Sequence, residues 1–400
     1  MNELRKATRY CNTTDTAVIE QVNSYASLPV YTMDQIADNL TTGYWSDLAD
    51  DWPGITPAKF NVSTGGSLSY DVSAVGSDAI FFIDAALEAW SNVTGIEFVI
   101  TTSQNADITF VDDDPSGAYS TSMTSGGNIL SSTVNIPPAW YSGDEGELDN
   151  YAYQTFLHEI GHSIGLGHAG YYNGSANWSA NGSGSNHYLN DSWQATVMSY
   201  FDQRENAYVG ETKAYVMTPM VADVLAIQYL YGTPGTQRTG DTVYGDNSTA
   251  GGFMDDLSGL ARSVAWTIYD NGGIDTLDVS GSSANQVVNL TSEVASDIWG
   301  AAGNLFIARD TLVENAIGGT GDDILNGNAV DNVLSGGDGG DILSGSGGAD
   351  TLYGNTGQDV LFGGAGADIL VGGAGDDVLD GGASTDQLMG GAGADVMDGG

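Results

Sequence analysis

Three of the chain's four histidines fall within one short stretch, His158-Glu-Ile-Gly-His-Ser-Ile-Gly-Leu-Gly-His168. Imidazoles at i and i+4 leave one helical face a turn apart. On a helix over 151–164, His158 and His162 can therefore aim two nitrogens at one ion, at the ~2.0–2.1 Å of a bond to Zn²⁺. Gly165 can end that helix at positive φ, and the chain can turn to return His168 as a third ligand. Glu159 leaves the helix in another direction, toward a water on the metal. Zinc lowers the pKa of that water toward ~7, and a carboxylate can take its proton. The chemistry on offer is metal-assisted hydrolysis. Surface histidines gathered by coincidence would not keep a glycine and a third histidine in this register.

The positioning elements follow from periodicity. Tyr153, Phe156, Leu157, Ile160 and Ile164 form the apolar positions of the histidine helix. A second helix is expected over 77–93, capped by Ser77 or Asp78, with Ile80, Phe81, Ile83, Ala86, Leu87 and Trp90 inward. A helix with a turn around Thr42-Gly43-Tyr44-Trp45 is expected over 34–48. Strands are expected over 59–72, 97–101, 106–111 and 128–136, the last closed by Pro137-Pro138. Residues 170–190 read as a loop with His187 at the surface. A helix over 218–231 carries Pro219 near its first turn and ends at Gly232. Thr233-Pro234-Gly235 marks a boundary.

Beyond it the composition changes. From Gly318 to Asp398 the chain repeats every nine residues in nine copies. Position one is always glycine. Position six is Asp323, Asn332, Asp341, Asp350, Asp359, Asp368, Asp377, Asp386 and Asp395. Position eight is leucine, with Met397 in the last copy. This is the G-G-x-G-x-D-x-U-x repeat of calcium-binding RTX proteins. The large apolar residue points inward from a short strand, the glycines turn tightly, and the aspartate offers a carboxylate. Successive turns fall on opposite sides of a parallel β-roll, so each Ca²⁺ lies between a turn and the one two repeats on. Without calcium the stacked carboxylates repel, and binding energy becomes folding energy. Asn332, Val330 and Ser384 depart from the pattern.

His158 to His168, with Met198-Ser199-Tyr200 thirty residues on, resemble the metzincins and, within them, the serralysins. The resemblance implies that Met198 forms the apolar floor of the zinc site. It implies that Tyr200 is a labile zinc ligand and oxyanion stabiliser. It also implies that an edge strand before the zinc helix pairs with extended peptide, for which Ser132–Ile136 is the candidate. The 218–232 register is similar to the last helix of the serralysin catalytic domain. Arg238-Thr-Gly-Asp-Thr-Val-Tyr-Gly245 and Asp270–Asp275 resemble that family's first calcium site. The implied ligands are backbone oxygens of Arg238, Gly240 and Gly272 and carboxylates of Asp270 and Asp275. Glu314 matches a further family calcium ligand, although Leu312 stands where a threonine is expected. The fold class implied is an α+β metzincin zinc-protease domain followed by an all-β parallel β-roll. The domains expected are a leader or propeptide at 1–28, a catalytic domain at 29–234 and a calcium-binding domain at 235–400, with the repeats at 318–398.

Composition restricts the partners. Nine Lys and Arg against 52 Asp and Glu give a formal charge of −43, which disfavours nucleic acid and anionic membranes. One cysteine, Cys11, excludes an intrachain disulfide. As a soft ligand it could cap zinc and hold the enzyme latent. No signal peptide is visible at Met1–Cys11, and no apolar run spans a membrane. The chain stops at the start of a tenth repeat. In serralysins a cap and an uncleaved type I secretion signal follow, so a truncated chain or processed fragment is expected, secreted to the cell surface or beyond.

The expected function is a secreted zinc endopeptidase, a monomer with one catalytic Zn²⁺ and several structural Ca²⁺, acting on protein or peptide substrates. Two alternatives stand beside it. One is a processing or quality-control protease for a bacterial surface protein, which would make a cell-surface protein its partner. The other is a calcium-dependent surface module with an inactive protease domain, against which the intact Glu159 argues.

Overall fold

The computed structural model describes residues 28–51, 56–103, 105–144 and 146–400. The expected leader and Cys11 lie outside them, apart from Leu28. Helix α1 (Met33–Asp38) starts with a capping box, in which Thr32 Oγ1 accepts the Gln35 N–H and Gln35 Oε1 accepts the Thr32 N–H. The turn expected at 42–45 is not a break. The helix widens into a π turn at Asn39–Gly43 and runs on as α2 (Tyr44–Asp51). Strands β1 (Lys59–Phe60) and β2 (Ser67–Asp71) divide the stretch read as one strand, with Gly65 turning between them at φ 79°. Helix α3 (Ser77–Thr94) begins at Gly76 without a side-chain cap. Ser77 Oγ donates to Asp78 Oδ1 instead of capping the backbone.

Strands β3 (Glu97–Ile100), β4 (Ile108–Val111), β5 (Tyr119–Ser125) and β6 (Asn128–Asn135) complete a sheet in the order β1-β6-β4-β2-β3. Strand β5 is added antiparallel along β6, from Tyr119 opposite Asn135 to Ser125 opposite Asn128. Strands β1 and β4 pair with β6 in parallel and share its other edge. The Ser132–Ile136 segment is therefore interior, and the expectation that it forms the free edge is corrected: the edge is β5. Gly126 and Gly127, at φ 58° and 79°, make the two-residue turn that brings β5 there.

Helix α4 (Tyr151–Ser163) crosses behind this sheet, N-capped by Asn150, whose Oδ1 accepts the Tyr153 N–H. Its apolar face packs on α3, where Trp90 Nε1 donates to Leu157 O at 2.9 Å. Strand β7 (Tyr215–Val216) and helix α5 (Val221–Tyr231) follow, α5 starting three residues later than expected.

Strands β8 (Val243–Gly245), β9 (Val264–Ile268), β10 (Thr276–Asp278), β11 (Val287–Asn289) and β12 (Leu305–Ile307) lie past the sequence boundary at 233–235. That boundary is not a gap in the fold, because β7 pairs with β9 and β9 with β12. Arg309 adds a second tie, with Nη1 and Nη2 donating to the two oxygens of Asp34 on α1 at 2.6 and 2.7 Å.

From Asn315 onward short strands alternate between two parallel sheets, each strand paired with the one eighteen residues later, as Leu352 with Leu370. The position-eight leucines from Leu325 to Leu379 are 0–1 % exposed and form the spine. Glycine at position one is a packing requirement: a Cβ on Gly336 would collide with Asp341 Oδ2 of the same copy.

Candidate metal centre and active-site cleft

His158 and His162 project from α4 on one face, and the chain turns at Gly165 (φ 111°) to return His168. A Cβ on Gly165 would lie 2.5 Å from Ala58 O, so the turn is reserved for glycine. Each ring is fixed through Nδ1. His158 Nδ1 lies 2.8 Å from Val197 O, His162 Nδ1 lies 2.8 Å from Leu166 O, and His168 Nδ1 lies 3.2 Å from Tyr44 Oη. A proton on each Nδ1 leaves the three Nε2 atoms as bare lone pairs. They converge, with Nε2 of His168 3.3 Å from that of His158 and 2.9 Å from that of His162. Burial holds the His158 and His162 imidazoles down at about 4 and about 3, and the neighbouring imidazole lowers His162 further. Three neutral nitrogens facing one another repel unless a cation sits between them. A tetrahedral Zn²⁺ with ~2.0–2.1 Å bonds needs ligand atoms ~3.3 Å apart, and the cluster fits.

Met198 lies beneath, fully buried, with its sulfur against α4. A Cβ on Gly161 would sit 2.6 Å from Met198 Sδ, so the glycine of the H-E-x-G-H run admits this floor. Asp223, at the start of α5, secures the Met198 turn by accepting from Thr196 Oγ1, the Val197 N–H and the Met220 N–H. Asp191 secures its other side, accepting from Ser199 Oγ at 2.6 Å and from the Tyr172 hydroxyl. The Tyr172 oxygen in turn accepts the Tyr200 N–H. The Tyr200 ring stands 4.6 Å from that of His168, and its hydroxyl accepts the Gly174 N–H at 3.4 Å. Burial pushes the Tyr200 phenol up to about 12, so it stays a neutral donor.

Glu159 is 7 % exposed, and its Oε2 has no hydrogen-bond partner among the described residues. Burial raises its carboxyl to about 8, and a dication beside it would draw that value back down. Glu159 and Tyr200 line two cavities, of about 510 and about 460 Å³. Ser120, Thr121 and Ser122 of β5 border the first; Trp140, Tyr151 and Trp193 wall the second. His187 stands apart from the triad, its Nε2 accepting the Tyr171 N–H and its Nδ1 3.7 Å from Asp47.

The residues expected to hold calcium also gather. The 237–242 turn lies on 270–275, tied by Gln237 N–H to Asn271 Oδ1 and Asn271 N–H to Gln237 O. Arg238 and Gly272 take positive φ, and Gly240 O accepts from Thr242 Oγ1. Asp275 Oδ1 accepts the Thr242 N–H, and Glu314 Oε2 accepts the Asp275 N–H. Asp275 Oδ2 is buried without a partner among the described residues, whereas Asp270 accepts from Gly272 N–H and Tyr244 Oη. In the roll, Oδ1 of each position-six aspartate from Asp341 onward accepts the N–H of the position-six residue eighteen earlier, as Asp359 from Asp341 and Asp395 from Asp377. The other oxygen of Asp341, Asp350, Asp359, Asp368, Asp377 and Asp386 is buried and unpartnered among the described residues. Asp323 differs, since both its oxygens accept backbone N–H groups. Asn332 differs too: its Nδ2 donates to Glu314 O, so an amide stands where other copies leave an oxygen free.

Comparison with known proteins agrees with this geometry. The family model described as "Peptidase M10 serralysin C terminal" matches residues 234–397. The chain is 38 % identical over 266 residues to serralysin of Proteus mirabilis, covering 62 % of this chain and 54 % of that one. The chain is of serralysin type. Serralysin C of Dickeya chrysanthemi is 42 % identical over 195 residues, 47 % of this chain and 40 % of its own. Metalloprotease AprA of Pseudomonas entomophila is 33 % identical over 332 residues, 76 % of this chain and 66 % of its own. The chain spans about half the length of the first curated relatives it matches, 54 % and 52 %. The α+β region followed by parallel strands is the fold expected of this type.

Proposed function

We propose that this chain is a secreted zinc endopeptidase. The observation that carries the proposal is the convergence of three Nε2 lone pairs beside a buried carboxylate whose Oε2 has no partner among the described residues, in a cleft bordered by strand β5. His158, His162 and His168 would hold the ion. Bound zinc would supply Lewis acidity, polarising a carbonyl and acidifying water at neutral pH. The chain's own residues do the rest. Strand β5 pairs with extended peptide through backbone groups and lays the scissile bond across Glu159. Glu159 takes the proton of the attacking water and delivers it to the departing amine. Tyr200 donates its phenol hydrogen bond to the carbonyl oxygen as negative charge develops.

The calcium assignment rests on the orphaned buried oxygens of Asp275, Asp341, Asp350, Asp359, Asp368, Asp377 and Asp386. We assign several Ca²⁺ to the roll aspartates among them, with Asp323 and Asp395 included by the repeat register alone, and one to the site of Arg238, Gly240, Asp270, Gly272, Asp275 and Glu314. Residues 29–234 then form the catalytic unit and 235–400 the calcium-folded one, with 1–28 as a leader or propeptide. Export to a calcium-rich exterior would fold the roll. No helix among the described residues is long and apolar enough to cross a membrane. The relatives are named serralysin and metalloprotease, which agrees with protein substrates.

Incubation of the full chain with a peptide library in millimolar calcium, read by mass spectrometry, is expected to yield new N-termini at many sites. A single preferred sequence would favour processing of one surface protein. Absence of any cleavage, with zinc bound and the roll folded, would leave the inactive surface module as the better account.

A further inference from the structure

His168 is the ligand that α4 does not carry, and its placement needs another support. The helical segment 33–51 provides it. Gly167 N–H donates to Leu40 O at 2.7 Å. Asn39 Nδ2 donates to the carbonyls of Ala169 at 2.8 Å and His168 at 3.3 Å. Tyr44 Oη faces His168 Nδ1 at 3.2 Å, and the two rings meet edge to face with centroids 5.2 Å apart. Gly167 is glycine because a Cβ there would lie 2.7 Å from Tyr44 Cγ.

The π turn makes this docking possible. Its last N–H, on Tyr44, reaches back five residues to Asn39 O. In an α-helix that N–H would take the Leu40 carbonyl, which here receives the N–H of Gly167. Single π turns inside α-helices recur at functional positions. The outer end of the same segment is fixed by Arg309 and by Tyr229 Oη, both donating to Asp34.

We infer that Tyr44 and Asn39 are positioning residues for the third metal ligand. The inference rests on the zinc assignment above. The Tyr44 oxygen accepts the His168 Nδ1 proton and so keeps Nε2 bare for the ion; Asn39 holds the carbonyl of His168 and that of the next residue, Ala169. Ligand partners of this kind act through orientation and tautomer, and their loss typically costs ~10–100-fold in metal affinity. The Tyr172 carbonyl is the other acceptor beside this ring, and it defines the competing account.

The test uses the full chain in millimolar calcium, with zinc as the probe and a chromophoric chelator as competitor. Tyr44→Phe keeps the ring that packs on His168 and removes only the acceptor. Its zinc affinity is expected to fall by ~10-fold, with kcat lowered, KM unchanged and the melting temperature of the zinc-free chain unchanged. Asn39→Ala is expected to speed zinc loss in the same way. Cobalt in place of zinc should give an altered d–d spectrum in Tyr44→Phe. If Tyr44→Phe binds zinc within about twofold of the parent, the Tyr172 carbonyl alone fixes the tautomer and the inference is overturned. It is equally overturned if zinc affinity and zinc-free melting temperature fall together, which marks a folding role. A parent chain that binds no zinc would instead overturn the metal assignment itself.

Discussion

Glu159→Gln is expected to abolish most hydrolysis while leaving the chain folded and its metal bound. The amide matches the carboxylate in shape, and the carboxylate makes no bond through Oε2 among the described residues that the fold would miss. A buried carboxylate raised to about 8 by desolvation is a burden on stability at neutral pH. The variant should therefore melt at the same temperature as the parent or slightly higher when both are zinc-free. Loss of a general base and acid that serves both halves of the reaction costs ~10²–10⁴-fold, so kcat is expected to fall by about 10³-fold. Zinc content by elemental analysis should stay at the parent level. Equal rates in the two proteins would remove Glu159 from the mechanism.

Calcium removal is expected to have the other large effect, and its sign depends on pH. Burial first, then neighbouring aspartates, raises Asp341 to about 7 and Asp350 and Asp359 to about 6. Their unfolded values lie near ~3.9. A group whose folded pKa is raised stabilises the fold fully below the unfolded pKa and loses that contribution as pH rises through the folded one. The calcium-free roll should thus be most stable near pH 4 and weaken between about pH 4 and pH 7. With calcium the order reverses, because the ion needs the carboxylates ionised. Each site held at ~1,000 times its Kd adds ~4 kcal/mol, and stacked sites act together. Melting followed by circular dichroism, with and without chelator at pH 4.5 and pH 8, should show a small calcium effect at the lower pH and tens of degrees at the higher. A calcium effect of the same size at both pH values would argue against ligation by these aspartates.

Much of this was legible in the sequence wherever chemistry repeats at short spacing. The His158–His162 pair, Gly165 and His168 obey helix geometry and a single turn. The repeats carry their register in Gly, Asp and Leu, and the sheets follow it. What was missed depends on residues that meet only in space. Strand β5, YSTSMTS, is exposed and polar and lacks an apolar alternation; only Gly126-Gly127 hinted at a hairpin. Without β5, the free edge falls on the neighbouring strand, β6. The π turn at Asn39–Gly43 reads in sequence as a break, because Thr42-Gly43 has turn composition while the Asn39–Ala169 bond spans 130 positions. Asp191 and Asp223 carry no motif of their own. Their role comes from burial beneath the Met198 turn, where each is the acceptor for groups on several segments. Asp323 has the aspartate of its repeat but not the orphaned oxygen, because the N–H groups of Gln286, outside the repeats, and of Gly319, in its own copy, occupy both oxygens.

The central claim is that one zinc ion on His158, His162 and His168 makes this cleft an endopeptidase, and back-titration tests it most directly. The full chain, folded in millimolar calcium, is stripped with a zinc-selective chelator, and casein hydrolysis is followed as zinc is returned. The account predicts no hydrolysis in the stripped chain and recovery that saturates at one zinc per chain. Hydrolysis that survives stripping, or one tightly held zinc per chain with no hydrolysis while the roll is folded, would contradict it.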